Sequence, residues 1–251
     1  MPWQQGRYTG RRELRRLRIT WKIGHLLKDI LNKMPANGRI RLVAFDMDGV
    51  LTRVRSSWSF VHERLGVDNT ENHQRYLNGV IDYHQFMVSD VDLWMKKHGR
   101  ILSSTIKGIL REIPLRRNVV DIVSRLRENG ITSAIVSGGI SWLSDIINEG
   151  GVFDLTFSNE LVSDSDGYLT RNCIPHVIPD KKGKIIEALR ESLGLDVEEC
   201  ASIGDSAMDR SMFEACGTSV AFNPEDEKVS EYATDSIVSD NLLDLIPYLL
   251  P

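Results

Sequence analysis

The sequence VAFDMDGVLT, residues 43–52, decides the architecture of this chain. It begins inside a short apolar run, residues 40–45, and that run ends abruptly at two aspartates, Asp46 and Asp48, which one methionine separates. An uninterrupted apolar run of this length that stops at charged residues is typical of a buried parallel strand followed by a loop. We therefore predict a strand over residues 40–45 that delivers two carboxylates at its carboxyl end.

Strands and helices alternate through most of the remaining sequence. Asn118 is a candidate helix N-cap, Gly130 is placed to end the same helix, and Asp166-Gly167 is a favoured hairpin turn. The predicted strands cover residues 131–136, 155–162, 168–174, 200–203, 218–222 and 236–238, and the predicted helices cover residues 118–128, 140–149, 183–193, 208–215 and 241–249. Strands separated by helices imply a parallel sheet that is covered on both faces. The predicted fold class is α/β, a Rossmann-like three-layer core built on a parallel sheet.

Residues 56–112 do not follow this alternation and have helical patterning instead. Trp58, Val61 and Leu65 form one apolar stripe, and a second helix is predicted over residues 82–97. We interpret the segment as a small helical cap domain inserted after the first strand. The predicted division is a basic amphipathic arm at 1–38, an α/β core at 39–55 and 113–251, and the cap at 56–112.

The first residues of the chain are strongly basic. Residues 1–41 contain eleven Lys and Arg against Glu13 and Asp29, a net charge of +9, so the other 210 residues carry −13 of the overall −4. Three interpretations stay open: the arm docks on anionic lipid, contacts nucleic acid, or packs as an extra helix on its own acidic body. A fourth is that translation starts at Met34.

Composition narrows the class of protein. The chain has 251 residues, 41% hydrophobic and 26% charged, which are ordinary globular proportions. A net charge of −4 argues against a strongly basic nucleic-acid binder, and no nucleic acid is expected on the core. No apolar run approaches the roughly 20 residues that cross a bilayer, so no transmembrane segment is expected. Three widely spaced cysteines predict reduced thiols and a cytoplasmic location.

Polar residues lie at the carboxyl ends of three predicted strands and at the start of one predicted helix in the core. Because ligands bind at the carboxyl ends of strands in open α/β sheets, we expect these side chains to share one crevice. They are Asp46 and Asp48, then Ser137-Gly138-Gly139, then Lys181-Lys182-Gly183-Lys184 at a helix start, and finally Gly204-Asp205 with Asp209. Crowded carboxylates are costly unless a cation lies between them, and Asp205 would complete an all-oxygen Mg²⁺ site. Taken singly, an aspartate after a strand is often a helix cap or turn residue, and a Lys-Lys-Gly-Lys run is usually a solvated face; only the combination indicates a site.

The four motifs together resemble a known family. VAFDMDGVLT at 43–52, AIVSGG at 134–139, DKKGK at 180–184 and GDSAMD at 204–209 occur in the order found in the haloacid dehalogenase superfamily of aspartate-nucleophile phosphotransferases. The resemblance covers roughly residues 40–250. The form of the second and fourth motifs and the position of the cap are most similar to the phosphoserine phosphatase branch.

This resemblance implies catalytic and metal-binding roles for the aspartates. Asp46 would be the nucleophile that forms an aspartyl-phosphate, and Asp48 would be the general acid and then the general base. Mg²⁺ would be held by the Asp46 carboxylate, the Asp48 backbone carbonyl and the Asp205 carboxylate. Dehalogenases lack an acid at the position of Asp48, so its presence favours phosphate esters over carbon–halogen bonds.

The resemblance also implies a site for the phosphoryl group. Ser137, the Gly138 amide and Lys182 would hold the equatorial phosphoryl oxygens. Lys182 is favoured over Lys181 and Lys184 because Lys-Gly at a helix start matches the branch best. Asp209 would support the site by binding metal-bound water or by orienting that lysine.

The sequence departs from the branch where the substrate would be recognised. Arg55 lies where phosphoserine-specific members carry a glutamate, and residues 88–92 contain no counterpart of their cap arginine. Arg53 and Arg55 would read a carboxylate or a second phosphate if they point inward; otherwise they are exposed arginines on a flap. Trp58 would line the pocket or belong to the core of the cap.

The expected function is therefore an Mg²⁺-dependent phosphomonoesterase, similar to phosphoserine phosphatases, that acts on a small phosphorylated metabolite. One alternative within the same superfamily is a phosphoglycolate or sugar-phosphate phosphatase. An alternative of another class is a non-catalytic tethering module that uses the basic arm.

Overall fold

A seven-stranded sheet organises residues 40–250, the part of the chain that the computed structural model describes. The strands, in the order 4-3-2-1-5-6-7 across the sheet, are β1 (Leu42–Phe45), β2 (Thr132–Ile140), β3 (Leu155–Ser163), β4 (Leu169–Ile174), β5 (Cys200–Gly204), β6 (Thr218–Phe222) and β7 (Asp235–Ile237). All neighbouring strands pair in parallel except β3 and β4, which form the predicted antiparallel hairpin. The predicted α/β fold class is confirmed.

Ten α-helices accompany the sheet in the described residues. They are α1 (Ser57–Leu65), α2 (Thr70–Leu77), α3 (Tyr83–His98), α4 (Ser103–Arg111), α5 (Val119–Glu128), α6 (Ser141–Ile147), α7 (Gly183–Leu193), α8 (Arg210–Glu214), α9 (Glu227–Tyr232) and α10 (Ile246–Leu249). No helix in this part of the chain is long and apolar enough to cross a membrane.

The central strand β1 shows why the core has three layers. All four of its residues are fully buried, and successive side chains of a strand point to opposite faces. Val43 and Phe45 join a cluster with residues of α5 and α6. Leu42 and Ala44 join a second cluster, which contains residues of α7 and α8. A strand buried on both faces needs the uninterrupted apolar run that the sequence shows.

The helices α1 to α4 make up the insertion after β1. Trp94 is fully buried, stacks on Trp58 with ring centroids 5.7 Å apart, and donates its Nε1 hydrogen to Nδ1 of His62 at 2.7 Å. These contacts tie α1 to α3. Both helices carry side chains that reach the carboxyl end of β2, so the insertion covers that edge of the sheet.

Several predicted boundaries differ from the structure. Asn118 occupies the N-cap position of α5 in a left-handed conformation, but its side chain donates to Asn241 Oδ1 at 2.7 Å and does not cap the helix. The predicted helix at 208–215 is a 3₁₀ turn, Ala207–Asp209, followed by the short α8. The predicted helix at 241–249 likewise begins as a 3₁₀ turn, Leu242–Leu245. The basic arm at 1–38 lies outside the described residues.

The three cysteines are all buried and unpaired in the structure. This agrees with the prediction of free thiols.

Candidate active site

The carboxyl ends of β1, β2 and β5 bring the predicted site residues together. The Asp46 backbone N–H donates to the Ile203 carbonyl at 2.9 Å, so Asp46 extends the β1–β5 ladder by one residue. Buried polar side chains surround this point: Asp46, Asp48, Ser137, Lys182, Asp205 and Asp209. A cavity of about 300 Å³ opens above them and separates the sheet from α1, α2 and α3.

A buried lysine neutralises part of the negative charge at the cavity floor. Lys182 Nζ lies 2.7 Å from Asp46 Oδ2 and 2.7 Å from Asp209 Oδ1. Burial opposes the charged ammonium, but Asp209 and Asp46 outweigh it and raise the pKa of Lys182. The lysine is therefore a permanent cation beside Asp46.

The carboxylates at the floor still exceed the cations. Burial raises the pKa of Asp46 to about 7 against the opposing effect of Lys182, and the charge of Asp209 adds to the rise. Burial together with Asp46 and Asp209 raises the pKa of Asp205 to about 8. Like charges held this close in a dry site favour protonation or a bound cation.

Asp209 organises the loop that follows β5. Its Oδ2 accepts hydrogen bonds from the backbone N–H groups of Asp205 and Ser206, both at 3.0 Å, while its Oδ1 accepts from Lys182. Both oxygens of Asp209 are thus occupied by protein donors. The structure supports a positioning part for Asp209, which orients Lys182 and fixes the turn that carries Asp205.

Asp48 is held through one oxygen and leaves the other free. Its Oδ2 accepts from the Ser57 backbone N–H and from the Ser57 hydroxyl, both at 2.8 Å. Its Oδ1 is buried and has no hydrogen-bond partner. Burial raises the pKa of Asp48, although the Ser57 hydrogen bonds oppose the rise. A fixed carboxyl group that lines a cavity and has one oxygen without a partner is suited to proton transfer.

Gly49 and Gly139 lie where the backbone comes too close to neighbouring side chains for any residue other than glycine. Gly49 has φ = +78°, and a Cβ there would lie 2.0 Å from Asp205 Oδ2. A Cβ on Gly139 would lie 2.7 Å from Asp48 Oδ2 and 2.8 Å from Ser57 Oγ. Neither position has room for a side chain, so the glycines let the three strand ends approach one another.

The loop after β2 is fixed from the cap side and from the core side. The Gly138 carbonyl accepts hydrogen bonds from Trp58 Nε1 at 3.2 Å, Tyr83 OH at 3.0 Å and Asn159 Nδ2 at 2.9 Å. The neighbouring Ser137 hydroxyl accepts from the Gly139 N–H at 3.1 Å. The predicted phosphate-binding turn is therefore a rigid part of the cavity wall.

The two arginines after β1 have different surroundings. Arg55 lies at the cavity edge with Nη1 2.6 Å from Asp205 Oδ2 and Nη2 3.2 Å from the Asn223 carbonyl. Arg53 lies away from the cavity, and its Nη2 is 2.5 Å from Asp240 Oδ2. Of the two interpretations left open for Arg53, its half-exposed side chain and its pairing with Asp240 favour an exposed arginine over one that points inward. Trp58 both lines the cavity and packs on Trp94.

Three residues of the site were not predicted. Ser57 fixes Asp48, and Tyr83 and Asn159 fix the Gly138 carbonyl. Asn159 is fully buried in the middle of β3, but the strand also contains Thr, Ser and Glu, so the sequence does not single this amide out. The sequence does not single out Ser57 or Tyr83 either, because a serine at a helix start and an aromatic residue in a helix are both common.

The donor set at the floor fits a divalent cation. Asp46, Asp205 and Asp209 each present a carboxylate oxygen, and these oxygens lie within 4.8 Å of one another. Asp46 Oδ1 accepts from the Met47 N–H at 2.7 Å and its Oδ2 pairs with Lys182, while Asp205 pairs with Arg55 through Oδ2. A cation would therefore share these carboxylates with their protein donors. Two or three carboxylates beside a cavity are what Mg²⁺ prefers, because it keeps several waters and binds phosphate oxygens.

Comparison with known proteins identifies the family. The sequence model of the haloacid dehalogenase-like hydrolases matches residues 40–217, which contain all four motifs. The chain belongs to the haloacid dehalogenase-like hydrolase family. The match extends from β1 through the 3₁₀ turn at Asp209 and therefore includes the whole cavity floor.

Curated relatives within this family are named phosphoserine phosphatases. The protein from Archaeoglobus fulgidus is 30% identical over 215 residues, 85% of this chain and 61% of its own length. The one from Methanocaldococcus jannaschii is 25% identical and covers 72% of this chain and 85% of its own. The chain thus spans less than two thirds of the Archaeoglobus relative.

A solved structure shares the fold. A phosphoserine phosphatase described as a phospho-aspartyl intermediate analogue superposes with a TM-score of 0.69 at 23% identity. The superposition covers 84% of this chain and 99% of that one. At this identity the likeness shows the fold alone.

Proposed function

We propose that this haloacid dehalogenase-like hydrolase is an Mg²⁺-dependent phosphomonoesterase that acts on a small phosphorylated metabolite through an aspartyl-phosphate. One observation carries the proposal. Asp46 lies buried at the floor of a cavity, paired with Lys182 at 2.7 Å, while Asp48 presents an unpartnered buried oxygen beside it. This is an anionic nucleophile, a fixed cation and a proton donor arranged around one space.

The first step transfers the phosphoryl group to the protein. A carboxylate oxygen of Asp46 attacks phosphorus, the bond from phosphorus to the ester oxygen breaks, and Asp48 gives a proton to the leaving alkoxide. The raised pKa of Asp48 suits this step, because the carboxyl group must arrive protonated. The Ser57 hydrogen bonds hold one oxygen of Asp48 and leave the other for the leaving group.

The second step returns the protein to its starting state. Asp48, now a carboxylate, takes a proton from a water molecule as that water attacks the aspartyl-phosphate at phosphorus. The bond from phosphorus to the Asp46 oxygen breaks, inorganic phosphate leaves, and both aspartates recover their original forms. One alcohol and one phosphate are released for each ester and water consumed.

The cations keep the negative nucleophile and the negative phosphate from repelling each other. Lys182 is fixed between Asp46 and Asp209. In the proposed reaction it contacts a phosphoryl oxygen together with Ser137 and the Gly138 amide. Mg²⁺, held by Asp46, Asp205 and the Asp48 carbonyl, would supply the further positive charge that the surplus of carboxylates calls for.

A phosphatase assay tests this function. We expect hydrolysis of p-nitrophenyl phosphate in Mg²⁺ and loss of that activity in excess chelator, with recovery when Mg²⁺ is restored. The Glu214→Gln variant, which alters an exposed ion pair with Arg210, is the matched control and should retain activity. A protein that hydrolyses no phosphate ester under these conditions would favour the alternative of a non-catalytic tethering module.

A further inference from the structure

The wall of the cavity formed by the inserted helices contains aromatic and acidic side chains that take no part in the two proposed steps. Helix α3 presents Tyr83, Phe86, Met87 and Asp90 to the cavity. These positions are spaced i, i+3, i+4 and i+7, so they form one face of the helix. This face lies opposite Asp46 and is where the alcohol portion of a substrate must lie once its phosphate is on the floor.

Aromatic rings form most of this wall. Tyr76 and Phe86 stack with ring centroids 5.1 Å apart and an interplanar angle of 4°, and Tyr76 lies 5.7 Å from Tyr83. Trp58 closes the side nearest the sheet and donates to the Gly138 carbonyl. Ring faces carry partial negative charge, and they attract ammonium groups most strongly in a site that excludes water.

Asp90 adds a full negative charge to the wall. Only 1% of its surface is exposed, and its carboxylate is placed by Asn69 Nδ2 at 3.4 Å and by His62 Nε2 at 3.3 Å. His62 Nδ1 accepts the Trp94 Nε1 hydrogen, and His62 Nε2 lies 3.3 Å from Asp90 Oδ2 without making a hydrogen bond within the described residues. Within residues 40–250 no lysine or arginine pairs with Asp90.

The cations that line the cavity are already engaged. Lys182 lies between Asp46 and Asp209 on the floor, and Arg55 lies between Asp205 and the Asn223 carbonyl at the edge. Among the described lining residues these are the lysine and arginine side chains present. A substrate carboxylate on the cap side would therefore face Asp90 and aromatic faces with no free lysine or arginine to receive it, and a buried unpaired charge is costly.

We propose that the cavity selects phosphate esters whose leaving alcohol carries an ammonium group and no carboxylate, with Asp90 and the aromatic wall as the recognition elements. The inference rests on the proposed function and names its substrate class, an amino-alcohol phosphate. In such an ester the phosphate lies on Lys182, the ammonium lies against Asp90 and the rings, and Asp48 protonates the alcohol oxygen between them.

Four esters test the substrate class. Phosphoethanolamine carries the ammonium alone, phosphoserine carries both groups, phosphoglycolate carries the carboxylate alone, and p-nitrophenyl phosphate carries neither. We expect kcat/KM for phosphoethanolamine to exceed that for phosphoserine and phosphoglycolate by about tenfold or more, since loss of a desolvated charge contact has at least that effect. A preference for phosphoserine or phosphoglycolate over phosphoethanolamine would overturn the inference while the proposed function stands. Hydrolysis of none of the four would overturn both.

The variant Asp90→Asn tests the residue itself. It should lower kcat/KM for phosphoethanolamine about tenfold more than for p-nitrophenyl phosphate, and it should raise the value for phosphoglycolate relative to p-nitrophenyl phosphate. A merely structural part for Asp90 would move all three together, which would overturn the inference. Asp92→Asn is the matched control, because it removes a charge from the same helix that faces Arg171 at 2.5 Å and not the cavity.

A second pair of variants keeps the inference testable if Asp90→Asn does not fold. Tyr76→Leu removes a ring from the wall and should lower the ratio of phosphoethanolamine to p-nitrophenyl phosphate activity. Tyr76→Phe keeps the ring face and should preserve the ratio. Equal ratios in the two variants would show that the aromatic wall does not recognise the ammonium.

Discussion

At the scale of single residues, the site is a buried cluster of charges that its neighbours only partly balance. Lys182 forms ion pairs with two carboxylates, and Asp205 forms one with Arg55 at 2.6 Å. Asp48 accepts hydrogen bonds only from the neutral donors of Ser57. Burying this many charges together lowers the stability of the folded state, and it shifts pKa values in the way that is common at functional sites. Two consequences can be measured directly.

The first concerns Ser57, which holds Asp48 in place. Ser57→Ala removes the hydroxyl that donates to Asp48 Oδ2, while the backbone N–H bond remains. We expect kcat for p-nitrophenyl phosphate to fall by about tenfold to a hundredfold with a smaller change in KM, because general acid catalysis contributes about 10² to 10⁴. Steady-state kinetics of Ser57→Ala and Ser57→Thr check this.

Ser56→Ala is the comparison for Ser57→Ala. The Ser56 hydroxyl caps α1 by accepting from the Ser59 N–H, so its loss should lower the free energy of unfolding by about 1 kcal/mol. If Ser57→Ala changed only stability and left kcat unaltered, the assigned part of Ser57 would be wrong.

The second concerns pH in the absence of metal. The folded protein holds the pKa of Asp46 near 7 and that of Asp205 near 8, above the unfolded value of 3.8. Between these limits the folded state binds more protons than the unfolded state, so the contribution of both groups to stability falls as pH rises from about 4 to about 8. Unfolding in chelator at several pH values measures this.

The effect of Mg²⁺ on stability at two pH values provides a control for the predicted pH dependence. Mg²⁺ competes with protons for the same carboxylates, so its stabilising effect should be larger at pH 8 than at pH 6. An increment in the unfolding temperature that is the same at both pH values would contradict the assigned charge cluster.

At the scale of elements, α1 and α3 are anchored to the sheet, whereas α2 is not. Trp58 and Tyr83 both donate to the Gly138 carbonyl, and Trp94 is fully buried between the two helices. Helix α2 has no buried residue, yet it contributes Tyr76 and Leu77 to the cavity lining. The element most free to move is therefore the one at the cavity mouth.

We predict that α2 is the mobile part of the cap and that it closes over the bound phosphate to exclude water. In hydrogen exchange, the amides of α2 should exchange faster than those of α1 and α3 in the free protein. Addition of Mg²⁺ with beryllium fluoride, which imitates an aspartyl-phosphate, should slow exchange in α2 more than in α7. Equal protection of α2 and α3 in the free protein would contradict this.

At the scale of the whole molecule, the sequence predicted those features that depend on the residues of a single strand or helix. The apolar run of β1, the helix bounds Gly183–Leu193 and the strand ends that carry Asp46 and Asp205 were readable from the sequence. Contacts between distant elements were not. Arg55 meets Asp205, 150 residues away, and Asn118 meets Asn241. No local pattern encodes such partners, because they depend on how the sheet brings separate loops together.

The most direct test of the account is to trap the phosphorylated residue. After rapid mixing with p-nitrophenyl phosphate and Mg²⁺, borohydride reduces an aspartyl-phosphate to homoserine, which peptide mass spectrometry locates. We expect homoserine at position 46 in the wild-type chain and none in Asp46→Asn, which should retain the fold and lose turnover. Homoserine at another aspartate, or wild-type turnover by Asp46→Asn, would contradict the assignment of Asp46 as the nucleophile.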